Sequence, residues 1–108
     1  MKKNPIDKLC FLLIFHPEAS VIPVVDEEVV TGEYSTYIGE ISNCFVKKVY
    51  RGKEQLFYYD ENEAEEVLSD YLGDEESAKL TVEETFAAYE KVPWKTAIIL
   101  QIVPPNYY

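Results

Sequence analysis

Histidine, tryptophan and methionine each occur once in this 108-residue chain, cysteine twice and glycine four times. Each scarcity removes a class of chemistry. With His16 as the only imidazole, a Cys–His nucleophile has to pair it with Cys10 or Cys44, and no third orienting group stands at a recognisable spacing. A structural zinc site takes four nitrogen or sulfur ligands, which one histidine and two scattered cysteines without a C-x-x-C pair do not supply. The glycines, Gly32, Gly39, Gly52 and Gly73, are isolated and build no phosphate-cradling loop. The segment Asp60-Glu61-Asn62-Glu63-Ala64 lacks the glycine of a calcium loop. No cofactor, no metal and no enzymatic activity are expected. Both cysteines lie in apolar runs and read as reduced thiols of the core.

Long apolar runs are missing as well. Leu9–Phe15 (LCFLLIF) is the most apolar stretch, far shorter than the roughly 18 residues a membrane span requires. It ends at His16-Pro17-Glu18 with no A-x-A pattern after it, so it reads as a buried strand and not as a secretory leader. The expectation is a cytoplasmic protein without membrane contact.

Positive charge is the third shortage. Ten lysines and arginines face twenty acids, for a net charge of -10. The imbalance is concentrated: Asp60, Glu61, Glu63, Glu65, Glu66, Asp70, Asp74, Glu75, Glu76, Glu83, Glu84 and Glu90 are accompanied by Lys79 alone. Such a field repels nucleic acid and anionic membrane and attracts cationic partners.

What is present suffices for a fold. At 47% hydrophobic residues the chain can offset its ordering entropy, and 108 residues fit one acidic domain, 1–108. Leu9–Phe15 and Thr96–Val103 (TAIILQIV) are apolar enough for the middle of a sheet. Ile41–Tyr50 and Lys53–Tyr59 flank Arg51-Gly52, a hairpin signal in which the glycine is free to take positive φ. Val21–Val25, interrupted by Pro23, and Tyr34–Ile38 are weaker strands.

Two helices are expected near Asp60–Leu72 and Thr81–Val92. The first opens on D-x-x-E and places Ala64, Val67, Leu68, Tyr71 and Leu72 on one stripe. The second opens on the capping box Thr81-x-x-Glu84, with Val82, Phe86, Tyr89 and Val92 as its stripe. Leu13, Ile99, Leu100, Val67, Leu68 and Phe86 are expected to be buried together. The order β-β-β-β-α-α-β, without β-α-β alternation, points to an α+β fold: a mainly antiparallel sheet of four to five strands with two helices packed on one face.

Two readings of function follow. In the first, a small acidic binding protein inhibits or sequesters a basic, nucleic-acid-binding protein or nuclease, in the manner of an anti-CRISPR, anti-restriction or nuclease-immunity protein. Glu61, Glu65, Glu66, Asp70, Asp74, Glu75 and Glu76 would form the contact surface. Carboxylates at i and i+4, such as Glu61/Glu65 and Glu66/Asp70, stand about 5–6 Å apart on a helix, the order of successive phosphates in a nucleic acid. In the second, an intracellular adaptor or structural domain engages its partner through tyrosine-rich loops, Tyr34 and Tyr37 foremost, and the acidity serves solubility only.

Overall fold

The computed structural model describes residues 4–30, 32 and 36–105. Its elements run α1 (Pro5–Phe15), β1 (Ser20–Val25), a 3-10 turn (Glu27–Val29), β2 (Glu40–Arg51), β3 (Leu56–Tyr58), α2 (Ala64–Leu72), α3 (Asp74–Ala78), α4 (Val82–Lys91) and β4 (Lys95–Val103). The fold is α+β, with four α-helices among the described residues and one four-stranded sheet in the order β1-β4-β2-β3. The sheet is mixed, which corrects the mainly antiparallel expectation: β2 and β3 are antiparallel, but β1 runs parallel to β4, with Ser20 opposite Ala97 and Val25 opposite Ile102. Parallel neighbours need a crossover of a dozen or more residues, and the chain from β2 to α4 supplies it.

The chain divides into two compact units, Met1–Val46 with Ala97–Tyr108, and Lys47–Thr96. The first holds the largest departure from expectation. The run Leu9–Phe15 is not a central strand but the body of α1. Asn4 Oδ1 accepts the Ile6 N–H at 2.9 Å, Pro5 occupies the start of the helix, and Asp7 sits in its first turn. All three favour a helix start. No α1 residue is buried: Leu9 and Leu12 are half-buried, while Leu13, expected in the core, is 40% exposed alongside Ile6, Phe11, Ile14 and Phe15. Cys10 is exposed too, against expectation, whereas Cys44 is fully buried, its thiol 3.5 Å from the Pro5 carbonyl.

Ala97, Ile98 and Ile99 of β4 are buried in this unit, as are Cys44 and Val29, while Leu100 is half-buried. Pro23 is accommodated because β1 lies at the sheet edge, where one side of the strand has no ladder to feed. Thr36–Ile38 is not strand. Tyr34 and Ser35, the rest of that expected strand's start, lie outside the described residues.

In the second unit the hairpin forms as expected, with Val49 opposite Tyr58 and Arg51 opposite Leu56. Its loop is longer than the two-residue signal implied. The Gly52 N–H donates to the Gln55 carbonyl at 2.9 Å, and β3 begins at Leu56. Gly52 is required for space, since a Cβ there would stand 2.6 Å from the Phe57 ring and 2.8 Å from Asp70 Oδ2. Among the described glycines, the one with positive φ is Gly73, at 94° between α2 and α3.

The first expected helix starts at Ala64, not Asp60. Tyr58 N–H donates to Asn62 Oδ1 at 2.8 Å, Asp60 N–H donates to the Tyr89 hydroxyl at 3.0 Å, and Asp60 adopts φ 67°. These bonds hold the segment as a turn. Glu63 is the N-cap, without a side-chain cap bond. The Thr81 capping box is present in both directions: Thr81 Oγ1 accepts the Glu84 N–H at 3.1 Å, and Glu84 Oε1 accepts the Thr81 N–H at 3.0 Å.

Val67, Leu68, Phe57, Tyr89 and Val92 make the core of this unit. Trp94 is bound to α4 by its indole N–H, which donates to the Tyr89 carbonyl at 2.8 Å, and it meets Tyr89, Tyr59 and Tyr50 at 5.1, 5.3 and 6.2 Å. Phe86, expected in this core, is 64% exposed, and Val82 is 73% exposed. At roughly 100° per residue, Thr85, Ala88, Tyr89 and Val92 form one stripe, and Phe86 sits about a quarter-turn or more off its centre. The bonds to Tyr89 and Trp94 fix which stripe faces inward.

Candidate partner-binding surface

The carboxylates singled out by the sequence fall on three kinds of site in the second unit. Glu65 and Glu66 occupy the exposed first turn of α2, and Asp74, Glu75 and Glu76 the exposed start of α3. Negative charge is favoured there by the unpaired N–H groups of each helix start. Glu61 precedes α2 in the turn, so the helical spacing expected between Glu61 and Glu65 does not apply. Glu66 and Asp70 do lie on one helix at i and i+4.

Their partners differ. Glu61 is ion-paired with Lys47, and Glu76 pairs with Lys79 at 3.4 Å on an exposed face. Asp74 accepts a hydrogen bond from the Ser69 hydroxyl. Asp70 is half-buried and turned toward the hairpin, its two oxygens accepting the Tyr50 hydroxyl at 2.9 Å and the Lys53 N–H at 3.0 Å. It positions the hairpin loop. Of these seven carboxylates, Glu65, Glu66 and Glu75 form no ion pair among the described residues and are exposed.

Among the described residues no hairpin cation is ion-paired with Glu65, Glu66 or Glu75. Lys47 is committed to Glu61, and the Lys48 ammonium lies 5.5 Å from the centre of the Tyr59 ring. Three phenols of this unit are shifted upward. Burial, reinforced by the bond to Asp70, pushes Tyr50 up to about 12, and the bond to Glu90 at 2.6 Å, with burial, pushes Tyr59 up to about 12. Tyr58 is raised mainly by burial and by Glu61, with Lys47 opposing. The Tyr50 and Tyr59 hydroxyls act as hydrogen-bond donors within the fold. The Glu84 carboxyl is held below its usual range by the Thr81 backbone and hydroxyl.

The tyrosine-loop alternative receives less from the structure. Tyr34 lies outside the described residues. Tyr37 belongs to the first unit, is half-buried, and donates its hydroxyl to the Gly32 carbonyl. Tyr50, Tyr59, Tyr71 and Tyr89 make ring contacts within the second unit. Among the described residues no three of His, Cys, Asp and Glu are grouped to hold a metal ion.

Sequence reasoning missed Val82, Phe86 and Glu63 as surface features. The signal for Phe86 was available in the competing stripe Thr85-Ala88-Tyr89-Val92, which a hydrophobicity pattern ranks below one containing phenylalanine.

No protein-family model, no curated protein and no solved structure matches this chain.

Proposed function

We propose that this protein is a non-enzymatic binding domain that inhibits or sequesters a basic, nucleic-acid-binding protein or nuclease, with Glu65, Glu66 and Glu75 at the centre of the contact. The observation that carries the reading is the set of exposed helix-start carboxylates answered by no lysine or arginine among the described residues. Solubility needs dispersed charge of either sign, whereas here one sign is gathered on α2 and α3. Anti-CRISPR, anti-restriction and nuclease-immunity proteins are the classes that such a surface serves, by occupying a site built for phosphates. Asp70 supports the surface from within, and Glu61, Asp74 and Glu76 enlarge it at its margins.

The test is capture from the producing cell at low and high salt, using the wild-type chain and Glu65→Lys/Glu66→Lys, followed by purification of the captured protein and assay of its nucleic-acid binding. The expected result is a basic partner whose association slows steeply with salt and whose nucleic-acid binding is blocked by the wild type but not by the variant. A partner bound equally well by the charge-reversed chain overturns the reading.

A further inference from the structure

A cleft of about 640 Å³ opens in the second unit between α2 and the segment joining α3 to α4. Ala64, Leu80, Val82 and Phe86 give it an apolar lining, and Glu63 and Glu65 line it from the start of α2. Three observations define what fits. Phe86 and Val82, at 64% and 73% exposed, are the most exposed large apolar side chains described in the unit, Val82 in the first turn of α4 and Phe86 at the side of its core stripe. The carboxylate of Glu63, at the N-cap, makes no cap bond. The hydroxyls in the lining are already engaged: Thr85 donates to the Thr81 carbonyl at 2.8 Å and Ser77 to the Asp74 carbonyl at 3.1 Å.

A small-molecule site places a few convergent polar groups to orient its ligand; here the hydroxyl protons are already given to backbone carbonyls and the charged side chains of the lining are carboxylates. A peptide added as a strand needs a sheet edge to satisfy its backbone, and the lining residues named here stand on helices and their connections. A ligand that satisfies its own backbone, places apolar side chains on Phe86 and Val82 and presents cations to Glu63 and Glu65 is an amphipathic helix with lysine or arginine flanking its apolar stripe. We infer that this cleft receives one such basic amphipathic helix of the partner protein. The inference rests on the reading of the acidic surface and names the element of the partner that it holds.

The test uses the full chain and two synthetic lysine–leucine peptides of identical composition, one patterned as an amphipathic helix and one shuffled. The patterned peptide is expected to become helical on binding and to shift the amide resonances of Ala64, Leu80, Thr85 and Phe86. It should lose about tenfold or more in affinity to Val82→Ser/Phe86→Ser and also to Glu65→Lys/Glu66→Lys, while the shuffled peptide binds more weakly. If both peptides bind alike, respond to Glu65→Lys/Glu66→Lys and ignore Val82→Ser/Phe86→Ser, the cleft is overturned and the acidic surface stands. If neither peptide responds to the charge reversal, both readings fall. Should Val82→Ser/Phe86→Ser fold poorly, resonance shifts on the wild type decide, and shifts confined to residues outside the cleft overturn the inference.

Discussion

The Tyr50 hydroxyl donates to Asp70 across the hairpin and α2 at 2.9 Å, joining β2 to a helix twenty residues later in the chain. The same carboxylate accepts the Lys53 N–H, so one acid closes the hairpin loop and ties it to α2. Replacing Asp70 with Ala leaves both donors without their acceptor and is expected to cost about 1–3 kcal/mol, against less than about 0.5 kcal/mol for Glu66→Ala on the exposed face. Urea midpoints of the two variants check the contrast. Equal costs would show that Asp70 is an ordinary surface acid.

Gly52 stands beside that bond. A methyl group there meets the Phe57 ring at 2.6 Å and Asp70 at 2.8 Å, and an aromatic ring packed in the core does not yield cheaply. Gly52→Ala is expected to destabilise by about 1–3 kcal/mol. Gly73→Ala meets open space, yet imposes φ near +94° with ψ near 155° on a residue with a Cβ, for a cost of about 1–3 kcal/mol. Crystal structures of the two variants separate the causes: a displaced Asp70 in the first, an altered α2–α3 junction in the second.

Leu68 and Phe86 have comparable apolar surface and opposite fates. Leu68 is 1% exposed, and Leu68→Ala is expected to cost about 2–5 kcal/mol through the cavity it leaves. Phe86→Ala removes a ring already in water and is expected to stay within about 0.5 kcal/mol. Thermal or urea unfolding of the pair reads the difference directly, and a large cost for Phe86 would mean that it is packed.

How much of this was legible in the sequence depended on the range of the interaction involved. The Thr81 capping box and the α2 stripe were legible because each is decided within a few residues. α1 was missed because seven apolar residues fit a strand or a helix equally well, and the deciding signal lies before the run, in Asn4, Pro5 and Asp7. The shortened start of α2 was not legible at all, since Asp60 is held by the Tyr89 hydroxyl 29 residues away. The parallel pairing of β1 with β4 has no local signature either, because the two strands are joined only through everything between them. For the acidic residues the sequence located the charge but not its commitments: that Asp70 faces inward while Glu65 and Glu66 remain exposed depends on where Tyr50 and Lys47 arrive.

Alkaline pH provides a further test. Tyr50 and Tyr59 titrate near 12 in the fold and near 10.0 when unfolded. The folded chain therefore holds these protons more tightly. The stability this represents is complete below about pH 10 and is lost as pH rises through about 12. Tyr50→Phe and Tyr59→Phe lack the ionising group, so each should be less stable at neutral pH but should lose less stability over that alkaline range. Chemical denaturation at stepped pH, together with tyrosinate absorbance, checks the sign; a wild-type chain that loses no more than the variants would contradict it.

The two cysteines give the first unit a built-in chemical clock. Cys10 faces water on α1, while Cys44 is sealed at 0% exposure. A thiol reagent should modify Cys10 at once and reach Cys44 only when that part of the chain opens. The lag between the first and second label thus measures how often the β2 interior breathes, without mutation and without denaturant.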